Sequence, residues 1–519
     1  MPLRRCASFA LLALLQLSPA VAAPELPADP AVAAARRFRE AHEAEILRQY
    51  AALLALPNVA YRSSAAELAA NADWIAGELA ARGVKTRLLR LGPEVPPIIY
   101  GELDVPGATK TYGVYVHYDG QPVQPEEWTS GPPFSPTLYS KAIADGGVQI
   151  PFPQKGERVD PEARIYARSA SDDKGPIPAI LAALDALTAA GLERRANLRF
   201  FLEGEEEAGS THLEAYLATY RDLLANIDGW LICDGPTHQS RRPQLVFGVR
   251  GYFGFELTVY GAVRELHSGH YGNWAPNPAQ RLAELITSMK DRDGNVTIPG
   301  FHDGTAKISE EEKRAIAAVP DFDRQLRIDL GLAETEAGNA NLLERLMISS
   351  LNVKGFQAAA VGSGARNVVP SRATASYDIR LAKGKKPADF PPVLEAHLAA
   401  QGYHVVHEEP DTETRLKYPR IVKIAYEPGY EAVRTPVDSP FARHVTQHAR
   451  RASSEEELVL MPTVGGSLPL FQFEKVLGQP IVIVPIVNHD NSQHAPDENL
   501  RLANLWYGIE LFAALFTMP

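Results

Sequence analysis

Short apolar runs that end abruptly in histidine or carboxylate constrain this sequence more than any other feature. Residues 112–116 stop at His117-Tyr118-Asp119, residues 197–202 stop at Glu203-Gly204-Glu205-Glu206-Glu207, residues 229–233 stop at Asp234, and residues 481–487 lead on to His494. Helical stretches at 176–190, 212–224, 440–451 and 500–516 lie between and after them. Apolar, β-branched runs of this length alternating with helices predict an α/β fold with a mainly parallel sheet covered on both faces. Ligand sites in such sheets lie beyond the carboxyl ends of the strands. The same edge is expected to carry Asp172 and Asp173, which follow the β-rich run 164–167 and precede Pro176, a residue suited to a first helical position. Asp-Asp before a helix is also an ordinary N-cap with dipole-compensating charge. The turn therefore acquires meaning only from matching groups at the other strand ends.

At 519 residues the chain exceeds one ordinary core, so two domains are expected. Helices are predicted at 31–56 and 64–82, strands at 84–91 and 98–103, and a long Pro- and Gly-rich loop at 121–160. Near Val246 the pattern changes. Residues 253–260 alternate like a half-buried antiparallel strand; a helix at 278–289, strands at 348–353 and 374–381, a helix at 391–401 and a strand at 403–407 follow. This predicts a small α+β domain, residues 247–428, inserted into a larger one made of 24–246 and 429–519. An extra helical segment fills 291–345, where Ser309 and Glu312 fit a capping box.

A net charge of −11 leaves no broad basic face for phosphates, which argues against a nucleic-acid partner. Residues 1–23 read as an export signal, with Arg4 and Arg5, an apolar stretch 9–17, and small residues before Pro24. The expected location is periplasmic or secreted. No segment approaches the ~20 apolar residues that span a bilayer, so no membrane association is expected. Cys6 falls in the leader, which leaves Cys233 without a disulfide partner and reads it as a small buried hydrophobe.

Collected at strand ends, His117, Asp172, Glu206, Glu207, Asp234 and His494 form the mixed nitrogen and oxygen donor set that Zn²⁺ accepts and that Mn²⁺ or Co²⁺ also uses. Two divalent ions roughly 3.5–4 Å apart need a shared carboxylate to offset their repulsion. Asp172 is the candidate. Asp119 follows His117 by two residues, so on an extended chain both side chains point the same way and the carboxylate can accept the imidazole N–H. Of Glu206 and Glu207, one can bind metal while the other stays free as general base, taking a proton from the attacking water and returning it to the leaving amine.

The runs H-Y-D-G-Q-P (117–122), W-x4-P-F (128–134), S-D-D-K-G (171–175), E-G-E-E-E-A-G-S (203–210), Asp234, H-S-G-x-Y-G (267–272), G-A-R-N-V-V-P (364–370), G-G-S-L-P (465–469) and H-A-P-D-E (494–498) resemble the co-catalytic zinc metallopeptidases. That family includes carnosine dipeptidase, glutamate-releasing carboxypeptidases, desuccinylases and aminoacylases. The runs come in the family's order and cover nearly all of the chain beyond the leader.

The resemblance implies metal ligands His117, Asp172, Glu207, Asp234 and His494, with Asp172 bridging, Glu206 as the base and Asp119 supporting His117. It further implies that the inserted domain is a lid that dimerises. His267 would then stabilise the oxyanion, often in the partner's site, while Arg366 grips the substrate carboxylate and Ser467 contacts the same end. Two positions depart from the family's usual spelling: Ala167-Arg168-Ser169 stands for G-R-G, and Thr463 for an arginine before G-G-S. The implied activity is hydrolysis of dipeptides or short peptides with a free C-terminal carboxylate. Hydrolysis of N-acyl amino acids is the alternative, and a silent scaffold is a third reading.

Overall fold

The computed structural model describes residues 29–60, 65–453, 458–466 and 468–519. The expected leader, 1–23, and Ser467 lie outside the described residues. The largest sheet has eight strands, in the spatial order Lys85–Leu89, Ile98–Leu103, Asn197–Glu203, Thr111–His117, Gly229–Ile232, Ile481–Ile483, Gln244–Val246 and Val459–Met461. From Asn197–Glu203 to Ile481–Ile483 neighbours run parallel. Pairs at the Ile98–Leu103 side are antiparallel.

The sheet's centre is apolar on both faces, with Val114, Phe201, Leu231 and Val482 all buried. Helices Pro30–Leu54, Pro176–Ala189, Pro440–Ala452 and Leu502–Phe516 pack on one face, and Leu213–Thr219 and Leu470–Leu477 on the other. This two-sided cover is what uninterrupted apolar strands require. Local chemistry sets the helix starts: Pro176 occupies the first turn of its helix, and the Ser439 hydroxyl accepts from Ala442 N at the start of another (3.3 Å). Cys233 is buried, as its strand position predicts.

The strand leading into the Asp172 turn, Arg164–Tyr166, is not part of the large sheet, contrary to expectation. It joins a four-stranded antiparallel sheet in the order Asn499–Arg501, Arg164–Tyr166, Thr137–Tyr139, Gln149–Ile150. The last two strands arise inside the predicted loop 121–160. They are too short to show a period-2 signal. Pairing with Asn499–Arg501 brings the His494 segment beside the Asp172 turn.

A second unit follows Val249. Its five-stranded sheet has the order Asn352–Gln357, Arg372–Leu381, Gly251–Tyr260, Ile421–Tyr426, His404–Val406, with helices Pro278–Met289 and Phe390–Ala400 packed on one face. The chain leaves and returns side by side, since Gly248 and Val249 pair antiparallel with Arg434 and Val433. The strand predicted at 348–353 is displaced to Asn352–Gln357. Met347, Ser349 and Leu351 are buried, and the Ile348 carbonyl accepts from Arg250 Nη2 (2.8 Å), so the apolar content there marks a packed connector.

The segment 291–345 contains helices Glu310–Ala318, Asp323–Asp329, Glu336–Asn339 and Leu342–Leu346. Its capping box is present: Ser309 Oγ accepts from Glu312 N (3.1 Å), and Glu312 Oε2 accepts from Ser309 N (2.7 Å). Among the described residues no helix is long and apolar enough to cross a membrane.

Candidate metal centre

His117 closes the Thr111–His117 strand and is fully buried. Its Nε2 lies 3.0 Å from Asp172 Oδ1 and 3.9 Å from Asp234 Oδ2, and its Nδ1 lies 3.3 Å from Asp119 Oδ1. Asp119 also accepts from the backbone N–H groups of Glu206 (3.1 Å) and Glu207 (3.0 Å). One carboxylate thereby orients the imidazole and fixes the turn that carries the glutamate pair. The neighbouring strand supplies this turn, and Gly204 permits it, because a Cβ there would overlap the buried Tyr118 ring.

The segments flanking the small sheet bring Asp172 and His494 to the same place. Asp172 Oδ2 lies 3.0 Å from His494 Nε2, which is 3.3 Å from Glu207 Oε2. Gln493 Nε2 donates to Asp172 Oδ2 (3.3 Å) and Gln121 Nε2 to Glu207 Oε2 (2.7 Å). Donor atoms of His117, Asp172 and Asp234 all lie within 4.8 Å of one another, and so do those of Asp172, Glu207 and His494. Asp172 belongs to both triads. Neither amide, Gln121 or Gln493, was singled out by sequence reasoning, since a lone glutamine carries no pattern. Asp173, the second carboxylate of the Asp-Asp turn, accepts from His117 N (3.2 Å).

The electrostatics test whether divalent cations fit. Burial pushes the Asp234 carboxyl up to about 7, with Asp172 and Glu207 adding repulsion. Burial likewise raises Glu206 and Glu207, and Asp172 repels both. Asp172 itself is held below the usual carboxylate range, because hydrogen bonds from His117 and His494 outweigh its burial. Burial alone would lower the His117 imidazole, but Asp119 and Asp172 outweigh it and raise it; Asp172, then Glu207, carry His494 up to about 10. Buried carboxylates that repel one another around two imidazoles are the setting in which cations replace protons. The donor set and the spacing both fit two divalent ions.

Glu206 stands beside the triads without entering either. His267 and Arg366 are not brought to this cluster. Both are exposed on the second unit: His267 Nδ1 accepts from Gly269 N (3.0 Å), and Arg366 Nη2 pairs with Glu265 Oε2 (2.7 Å).

Comparison with known proteins places this geometry. Residues 113–518 match peptidase family M20/M25/M40. The chain is 25% identical over 456 residues to the Cys-Gly metallodipeptidase of Schizosaccharomyces pombe, covering 85% of this chain and 88% of that protein. It is 26% identical over 434 residues to the Beta-Ala-His dipeptidase of Rattus norvegicus, covering 81% and 79% respectively. Among solved structures, the M20 family metallo-carboxypeptidase Sso-CP2 from Sulfolobus solfataricus is similar with a TM-score of 0.70 and 27% identity, over 91% of this chain and 99% of that one. Human carnosine dipeptidase 1 shares the fold (TM-score 0.67, 21% identity, 95% and 99% covered).

The periplasmic or secreted location expected from residues 1–23 does not stand. The curated relatives that the chain matches include Cys-Gly metallodipeptidases from yeasts, which give a periplasmic address no support, and the residues that carried the expectation lie outside the described ones. Matched over residues 113–518, and aligned nearly end to end with an M20 metallo-carboxypeptidase, the chain belongs to peptidase family M20/M25/M40.

Proposed function

We propose that this protein is a dinuclear metallopeptidase that hydrolyses dipeptides or short peptides with a free C-terminal carboxylate. The observation that carries the reading is the pair of donor triads sharing Asp172, with Glu206 outside both and close enough to feel the charges of His117, Asp234 and Asp172. That both curated relatives named above are dipeptidases supports the substrate class. His117, Asp172 and Asp234 would hold one ion and Asp172, Glu207 and His494 the other. Zn²⁺ suits this donor set best, and Mn²⁺ or Co²⁺ also suits it. Bound there, two such ions supply Lewis acidity, polarising the scissile carbonyl and easing deprotonation of water.

The chain's own residues do the rest. Asp119 holds the His117 ring and the glutamate turn in one geometry. Glu206, its carboxyl raised by burial, accepts the proton of the attacking water and passes it to the leaving amine. Arg366 clamps the substrate carboxylate through a bidentate guanidinium, Ser467 contacts the same end, and His267 steadies the developing oxyanion. Residues 24–246 and 429–519 form the catalytic domain and 247–428 the lid; the paired crossing of Gly248–Val249 with Val433–Arg434 lies close to both limits.

His267 and Arg366 reach a substrate through lid movement or from a second copy. The Asn352–Gln357 edge strand, exposed throughout, supports a homodimer formed through the lid. The test is product analysis by mass spectrometry on the metal-loaded chain, given pools of dipeptides and of N-acyl amino acids beside a Glu206→Gln variant and a chelator. Amino acids released from dipeptides, and absent from both controls, are the expected result. Cleavage of acyl compounds alone overturns the substrate class.

A further inference from the structure

Four residues beyond His494, Glu498 has no exposed surface. Its Oε2 accepts from Ser169 N (2.8 Å) and Arg168 Nη1 (2.7 Å). Its Oε1 accepts from Ser171 N (2.9 Å), Ser171 Oγ (2.7 Å) and Asp172 N (2.9 Å). Five donors thus converge on one carboxylate, and every backbone donor among them belongs to the turn that presents Asp172. The Glu498 carbonyl also accepts from Ala167 N (3.1 Å) at the start of the same turn.

The two segments so joined are conformationally costly. Ser169 (φ 62°), His494 (φ 61°) and Asp497 (φ 59°) all adopt left-handed backbone without being glycine. Such backbone persists only where its surroundings hold it. Adjacent Asp497 secures a third segment, accepting from Thr129 N (2.9 Å) and Ser130 N (2.8 Å). Trp128, just before them, lies under the Arg168 guanidinium at 5.3 Å.

We infer that Glu498 is a positioning residue of the metal centre: by accepting the amide of Asp172 itself, it sets the shared carboxylate at its distance from His494, on whose segment Glu498 also lies. The hydrogen bonds of the Glu498 carboxylate go to residues 168–172, so it acts on the metal centre through the turn that presents Asp172. The inference rests on the reading of the two triads as metal sites.

The test replaces Glu498 with Gln in the full chain. A glutamine side chain keeps the shape but turns an amide N–H₂ toward N–H donors and leaves Arg168 without its counterion. Zn²⁺ affinity, read by competition with a chromophoric chelator, is expected to weaken about 10- to 100-fold for at least one ion, the range for groups that orient metal ligands. kcat for a dipeptide falls with it while KM moves less than about threefold. Glu510→Gln, which breaks a remote ion pair with Arg36 (2.7 Å), serves as the purely structural control and leaves Zn²⁺ affinity unchanged.

Folded Glu498→Gln protein that binds two Zn²⁺ with wild-type affinity overturns the proposal. If that variant does not fold, Ser171→Ala removes a single donor to Oε1; a weakening of about three- to tenfold, below the range above because one donor of five is lost, supports the role, and no change overturns it. Wild-type chain that binds fewer than two Zn²⁺ overturns the metal-centre reading, and the proposal with it.

Discussion

The donor cluster and the His267–Arg366 pair differ in how far each is assembled. In the cluster, His117 is fully buried, Asp119, Asp172, Glu207 and Asp234 are buried, and strand ends and loops from two sheets gather the donor atoms of each triad within 4.8 Å of one another. On the lid, His267 and Arg366 are exposed and find their polar partners nearby, in Gly269 and Glu265. Groups that gather cations must overcome mutual repulsion and so need a rigid frame, whereas groups that meet a substrate can wait in solvent until something brings them to it. The cluster is therefore where structure and activity should fail together, and the lid pair is where activity alone should fail.

The largest effect separating the two regions is expected from Asp172→Ala. Loss of the shared ligand should lower dipeptide kcat/KM about 10⁴-fold or more and reduce bound metal from two ions, as read by elemental analysis of the purified variant. Retention of both ions would show that Asp172 does not bridge. Next comes Glu206→Gln, expected to lower kcat by about 10²- to 10⁴-fold at unchanged metal content, since general-base assistance is removed without removing a ligand.

Arg366→Ala sharpens the comparison from the lid side. kcat/KM should fall about 10- to 100-fold for dipeptides with a free carboxylate and scarcely at all for C-terminally amidated ones, with metal content intact. Its exposed ion pair with Glu265 predicts a melting temperature within about 1 °C of wild type. Equal losses on both substrates would remove the carboxylate clamp.

The smallest expected effect concerns the frame beside the His494 segment. Burial pushes Asp490 up, but the Arg164 guanidinium (2.7 Å) and Asn488 outweigh it and bring its carboxyl down to about 2. A carboxyl depressed in the folded state contributes stability that is present above its unfolded value, near 4, and is lost as pH falls toward 2. Because the Asp490 side chain is 40% exposed, solvent screening limits this to about 1 kcal/mol. Melting curves between pH 5 and pH 2.5 should show a shallower decline in Asp490→Asn than in wild type.

Much of the cluster was legible in the sequence because its donor groups sit where apolar runs stop. His117 ends one strand of the large sheet, Glu206, Glu207 and Asp234 lie within four residues of the ends of two others, and a local signal suffices to find them. The helix predicted at 212–224 divides into Leu213–Thr219 and Arg221–Leu224, a boundary detail that leaves the site untouched. What the sequence concealed is non-local. That Arg164–Tyr166 pairs with Asn499–Arg501 across more than three hundred residues cannot be read from either run, because three-residue strands lack periodicity. Glu498 was visible only as the last letter of a motif, since its five donors lie at 168–172. His267 and Arg366 were named by resemblance alone, and their exposed surroundings carry no pattern by which composition could have marked them.

The paired crossing at Gly248–Val249 and Val433–Arg434 also bears on how such an enzyme diversifies. Both ends of the inserted unit pass through one short ribbon, so the intervening chain can be exchanged as a cassette while the strands beside the donor cluster keep their own connections. Arg434, on the returning strand, pairs with Glu312 (3.1 Å) of the extra helical segment. A chimaera that transplants that segment together with its host sheet keeps this fastening, and one that leaves it behind strands a half-buried guanidinium at the junction.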